Sequence, residues 1–214
     1  MPIRVGLQYI AQWKESLEKA VQVYEQEPIV KGQIVFYGPS NFTRWSTKYG
    51  MEPLREVLVG ASGKPCCVNR GFGSTCAEHH LYYYTRMVRA IAPKVLVYSP
   101  GLGNGLGFGY TAEETFELAQ RVMLYALSDM PDLKIYLIGL NTWKDKREAS
   151  ARYNEMLKEF AANTPNVVYY DLSEHKPMQR LDIYVADNVH YNQEGYKLYE
   201  DFFREVLKDE LAQF

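Results

Sequence analysis

Five short apolar runs, each cut off by turn residues and separated by segments with helical spacing, constrain this chain more than any other feature. They fall at 34–37, 66–69 (the weakest), 95–98, 133–140 and 167–170. Helical spacing appears at 7–26, through Leu7, Ile10, Ala11, Leu17, Ala20, Val21 and Tyr24, and again at 77–91 and 147–162. Thr111 and Glu114 have the spacing of a capping box in front of another helix. Asn192 opens a last one that runs to about Leu211. Strands that are apolar throughout, rather than at alternate positions, are buried on both faces. Interleaved with helices, they imply an α/β fold with a parallel sheet between two helical layers. No repeat, low-complexity tract or linker interrupts the pattern. The 214 residues are expected to form one domain, with the 7–26 helix packed on it. The 60–65 stretch, GASGKP, reads as a surface loop.

Composition removes several function classes. The net charge of −2 has none of the basic excess of a nucleic-acid binder. The apolar runs are far shorter than a membrane span, so none is expected. Met1–Arg4 lack the basic region and apolar core of a signal peptide. Three cysteines, Cys66, Cys67 and Cys76, are odd in number and two are adjacent, which makes a poor disulfide framework. A reducing, cytoplasmic location is the expectation. Oligomeric state leaves no signature.

Ligands of open parallel sheets bind beyond the carboxyl ends of the strands. The unusual residues gather after such ends. Gly38-Pro39-Ser40 follows the first, Asn69-Arg70-Gly71-Phe72-Gly73-Ser74 the second, and Gly103-Asn104-Gly105 the third. After the fifth, a long connection leads to Asp187 and His190. That connection, 171–186, can extend about 50 Å, whereas crossing three strands needs about 15 Å. His190 can therefore reach Ser40. A serine hydroxyl attacks once an imidazole takes its proton, and a carboxylate must fix that imidazole's tautomer. Asp187 and His190, three apart in a turn that opens a helix, suit that pairing. Backbone N–H groups at Gly73 or Ser74 and the Asn104 side-chain amide suit the oxyanion that would form.

Four blocks then make the chain resemble the SGNH hydrolases, the GDSL-type lipases and acylhydrolases, over about 8–211. IVFYGPSNFTRW matches the nucleophile block, NRGFGST the block whose glycine supplies an oxyanion N–H, LGNGLGFGY the block with the oxyanion asparagine, and DNVHYNQEGY the Asp-His block. The resemblance implies a flavodoxin-like three-layer α/β/α sandwich with a mainly five-stranded parallel sheet. It implies a serine esterase with catalytic Ser40, Asp187 and His190, and an oxyanion hole of Ser40, Gly73 (or Ser74) and Asn104. The expected substrate is a small acyl ester: an acetylated carbohydrate, a short-chain ester or a lysophospholipid. No cofactor and no metal are implied.

The chain departs from the pattern at Pro39, at Ser74 and at Gly105, where the family has Asp or Ser, Gly, and Asp. A decayed oxyanion hole in a protein that only binds a glycan or small metabolite is the alternative these departures raise. A mobile glycine-rich loop around Gly105 would aim Asn104 less well. Phe72, Phe108, Tyr110 and Trp143 lie in strand-end loops and are candidates for the substrate pocket. Trp45 is expected to anchor the helix after Ser40. Cys66 and Cys67 read as core. Cys76 and His80 have the spacing of two ligands on a helix, but no second pair follows, so zinc is not expected.

Overall fold

A computed structural model describes residues 7–11 and 14–214. Met1–Arg4, examined above for a leader, lie outside the described residues, as do 12 and 13 within the expected first helix. A single sheet of five parallel strands orders them β2-β1-β3-β4-β5: β1 Ile34–Gly38, β2 Cys67–Gly71, β3 Val95–Tyr98, β4 Lys134–Ile138 and β5 Val167–Tyr170. Around it lie α1 Lys14–Glu25, α2 Ser40–Thr43, α3 Leu54–Val57, α4 Ala77–Met87, α5 Gly103–Gly107, α6 Ala112–Asp129, α7 Glu148–Ala162, α8 Gln193–Val206 and α9 Lys208–Leu211.

Alternate strand residues divide the interior into two cores, as the period of two requires. Val35, Tyr37, Leu96, Tyr98, Ile135 and Leu137 face α1, α4, α6 and α7. Ile34, Phe36, Val95, Val97, Tyr136 and Ile138 face α2, α3, α8 and α9. Three layers result, and β1, buried at every position, carries the nucleophile candidate through their middle. The chain leaves β1 toward β2 on one side and returns to β3 on the other. That reversal of strand order opens the crevice where ligands of such sheets bind.

Most element expectations hold within a few residues. The first helix is shorter than its spacing suggested. Residues 8–11 form bends and a turn, and the Tyr9 N–H donates to Glu78 Oε1 at 2.6 Å. The capping box at α6 is present in both directions, Glu114 N–H to Thr111 Oγ1 at 3.1 Å and Thr111 N–H to Glu114 Oε2 at 3.0 Å. Asn192 caps α8 by accepting from the Gly195 N–H at 3.0 Å. Trp45 anchors a different helix from the one expected. Its ring packs on Tyr196, Tyr199 and Phe203 of α8, so it ties the segment after Ser40 to the helix after His190.

Candidate active site

Ser40 is the first residue of α2, directly past β1, and is half-buried. Its segment is held by neighbours to which the sequence assigned no role. Asn69 donates through Nδ2 to the Phe42 carbonyl at 2.7 Å and accepts at Oδ1 from the Gly71 N–H at 2.9 Å. The Tyr196 hydroxyl donates to the Asn41 carbonyl at 2.8 Å. Gly71 must be glycine here, because an added Cβ would stand 2.4 Å from Phe42 Cβ and 2.6 Å from the Thr43 nitrogen. The ends of β1 and β2 are thereby pressed together.

The residues at 187 and 190 arrive from the far side. The chain between β5 and α8 makes a short bridge, Tyr184 against Tyr191, which closes the turn holding both. Within that turn Asn188 takes the left-handed conformation at φ 57°, which asparagine tolerates better than most residues. Asp187 Oδ1 accepts the N–H groups of Val189 and His190, both at 2.9 Å, and Oδ2 lies 2.7 Å from His190 Nδ1. These hydrogen bonds, the His190 N–H foremost, hold the Asp187 carboxyl well below the usual carboxylate range. An ionised carboxylate only accepts, so Nδ1 carries the imidazole proton. Nε2 then accepts from Ser40 Oγ at 2.8 Å. Arg44 stands near the same carboxylate, Nη1 to Oδ2 3.6 Å. Lys144 donates to the Asn188 carbonyl and lies 3.9 Å over the Tyr184 ring.

Beside Ser40, a Cβ built on Gly73 would be 3.8 Å from Ser40 Cβ. The Gly73 N–H has no acceptor among the described residues. Ser74 is exposed and left-handed at φ 61°. Asn104 sits in the first turn of α5 and donates one Nδ2 hydrogen to the Thr75 carbonyl at 2.8 Å, leaving the second for a ligand. The glycine-rich segment around it is a short helix and not a loose loop. Gly105 is buried against α6, where an added Cβ would lie 2.7 Å from Thr115 Oγ1. Glycine at this position is a packing requirement.

Ser40, Asn104 and the Asp187–His190 turn border one cleft of about 690 Å³. Its remaining wall is mixed: Asn41, Asn141, Lys144 and Arg147 alternate with Leu140, Leu172, Leu181 and Val189 and with Tyr184 and Tyr191. None of the four expected pocket aromatics lines it. Phe72 is buried in the core against Tyr37 and Tyr83. Tyr110 is buried with its hydroxyl on Glu78. Phe108 stacks on Tyr9 at 5.4 Å, and Trp143 faces Lys146 at 5.9 Å. In each case an aromatic ring after a strand end found neighbours away from the crevice. A larger, mostly apolar groove of about 1080 Å³ lies behind the 72–75 turn, between α1 and the β2 edge. It contains none of the three reactive side chains. The cysteines are free thiols, and Cys66 and Cys67 are buried as expected. His80 turns its two ring nitrogens to Thr75 and Tyr98.

No family model matches the sequence, and no curated protein matches it. Solved structures do. A Streptococcus pneumonia structure, described provisionally as a platelet activating factor, superposes with a TM-score of 0.70 at 19% identity over 94% of this chain and 98% of its own. A GDSL-like lipase from Bacteroides thetaiotaomicron gives 0.65 at 14% identity over 94% and 98%. A family 3 carbohydrate esterase from Clostridium thermocellum gives 0.61 at 18% over 85% and 97%. The fold is therefore shared with GDSL-like lipases, acylhydrolases and carbohydrate esterases, as the four-block resemblance to the SGNH hydrolases implied.

Proposed function

We propose that the protein is a serine esterase that cleaves a small acyl ester of a polar alcohol, an acetylated carbohydrate being the best fit. The observation that carries this reading is the aligned relay of Ser40 Oγ to His190 Nε2 at 2.8 Å and His190 Nδ1 to Asp187 at 2.7 Å. Both distances fall in the range that proton transfer to a general base needs. Ser40 attacks the ester carbonyl and His190 takes its proton. Asp187 fixes the tautomer and stabilises the imidazolium. The oxyanion accepts from the Ser40 N–H, which has no intrahelical acceptor at the start of α2, from the Gly73 N–H, and from the second Asn104 amide hydrogen, neither of the last two having an acceptor among the described residues. Gly73 fits this role better than Ser74, which faces outward. His190 then protonates the departing alcohol, and a water that His190 deprotonates releases the acid from Ser40.

The substrate preference rests on the cleft. Its amides, with Lys144 and Arg147, can meet the hydroxyl groups of a polar alcohol beside the apolar Leu140 and Leu181. Carbohydrate esterases among the structural neighbours agree with this direction. Ser40→Ala should abolish hydrolysis of p-nitrophenyl acetate, and labelling by a fluorophosphonate, in a protein with an unchanged circular dichroism spectrum. Wild-type rates in the variant would overturn the reading. So would a wild type that neither hydrolyses the ester nor takes the label.

A further inference from the structure

Behind the turn that carries Gly73 sits a buried histidine that the triad does not use. His80, in α4, is fully buried. Its Nε2 is 3.0 Å from Thr75 Oγ1, and its Nδ1 is 3.3 Å from the Tyr98 hydroxyl. Thr75 Oγ1 gives its single proton to the Phe72 carbonyl at 2.7 Å. Toward His80 it can only accept, so the imidazole proton resides on Nε2, and Nδ1 accepts from Tyr98. The Thr75 side chain thus closes a ring over Gly73 and Ser74, the latter held in a left-handed conformation that serine does not favour. The backbone carbonyl of the same Thr75 receives the Asn104 amide at 2.8 Å. The backbone of His80 is itself fixed, because its carbonyl accepts from the Tyr37 hydroxyl of β1 at 2.7 Å.

Two separate donors for the oxyanion, the Gly73 N–H and the Asn104 amide, therefore depend on one threonine, and that threonine is held by one histidine. We propose that His80, acting through Thr75, is a positioning residue that aims the oxyanion donors at the carbonyl attacked by Ser40. The inference rests on the esterase reading of the site. It assigns to the Thr75 hydroxyl and to His80 a role in rate, which a histidine that merely fills the core would not have. Burial also keeps His80 uncharged, its pKa lowered to about 3, so the brace has one hydrogen-bonding arrangement over the range where an esterase works.

The test is a series on p-nitrophenyl acetate with methylboronic acid as the tetrahedral analogue: wild type, Thr75→Val, Thr75→Ser, His80→Phe and Ser40→Ala. Losing a whole oxyanion donor costs about 10²–10³ in kcat. Misaiming two should cost about 10- to 100-fold in Thr75→Val, which keeps the size of the side chain and the backbone carbonyl. KM should stay within about twofold, and the boronic acid should weaken by a factor similar to the loss in kcat. Thr75→Ser, which keeps the hydroxyl, should retain at least about half of the wild-type kcat. His80→Phe should resemble Thr75→Val; if it does not fold, Thr75→Val carries the test. Wild-type kcat in Thr75→Val, a loss expressed only in KM, or an equal loss in Thr75→Ser would overturn the proposal while leaving the esterase reading intact. A wild type inactive on the ester, or an active Ser40→Ala, would instead remove that reading. The brace is then read by nitrogen-15 NMR on the Asn104 side-chain amide and the Gly73 N–H. Unchanged shifts and exchange in Thr75→Val would overturn it there too.

Discussion

Asp187 accepts from three donors of its own turn, and that is the reason its carboxyl stays ionised. An asparagine there would keep the size and lose the charge, and its amide would compete for the wrong face of His190. Asp187→Asn is expected to lower kcat by roughly 10²-fold or more with little change in KM, read from initial rates across a substrate series. His80 offers a pH prediction of the opposite kind. Its folded pKa of about 3 lies below the ordinary histidine value. Between roughly pH 6.5 and 3 the unfolded chain therefore binds a proton that the folded one refuses, and stability falls as pH falls. Over that window the wild type should lose up to about 1.4 kcal/mol per pH unit more than His80→Gln does. Urea unfolding of both proteins at several pH values measures the difference. His79, Glu78 and Cys76 of the same segment and Tyr37 and Tyr98 of the sheet surround this group, and the variant leaves all of them in place.

The short helix that carries Asn104 and the helix after it explain what happens when local sequence departs from a familiar pattern. Gly105 is pressed against Thr115 of α6, so Gly105→Asp would force a side chain into a filled space. A loss of about 1–3 kcal/mol is expected from such overpacking, seen as a lowered urea midpoint at unchanged slope. Thr111→Ala removes the cap that starts α6 and should cost about 1 kcal/mol, measured in the same way. These elements also mark how far the sequence could be read. The strands, the cap at Thr111, the cap at Asn192 and the placement of Ser40, Asn104, Asp187 and His190 at strand ends were all legible. Each follows from local spacing or from short-range hydrogen bonding. Apart from the reach of His190 to Ser40, the contacts between distant segments were illegible. Phe72 and Tyr110 follow strand ends, yet both rings turn into the core, because burial there outweighs exposure in the cleft. Trp45 packs on α8, about 150 residues away, as well as on Phe36 of the strand before it. Asn69 and Thr75 gave no signal in isolation, since their value lies in the carbonyls they meet.

Across the whole molecule the reacting pair is 150 residues apart in sequence, and nothing local holds it. Ser40 is placed by β1 and β2, His190 by the bridge at Tyr184 and by α8, and Trp45 joins the two. Trp45→Ala should cost about 3–5 kcal/mol, detected by thermal unfolding, and activity should fall with it even though the side chain touches none of the three reactive groups. Activity and far-ultraviolet dichroism are expected to be lost at one denaturant midpoint. An earlier loss of activity would show that the 184–191 turn opens before the sheet does.

The braced turn has a consequence for engineering. Gly73, the hydroxyl that closes the turn and the imidazole that holds that hydroxyl all lie between Phe72 and His80, in nine consecutive residues. Together they are a contiguous cassette. Moved into another sheet of the same strand order, it should bring its own alignment along, needing from the host a tyrosine on each of the next two strands, in the places of Tyr37 and Tyr98, and an amide within reach of one carbonyl.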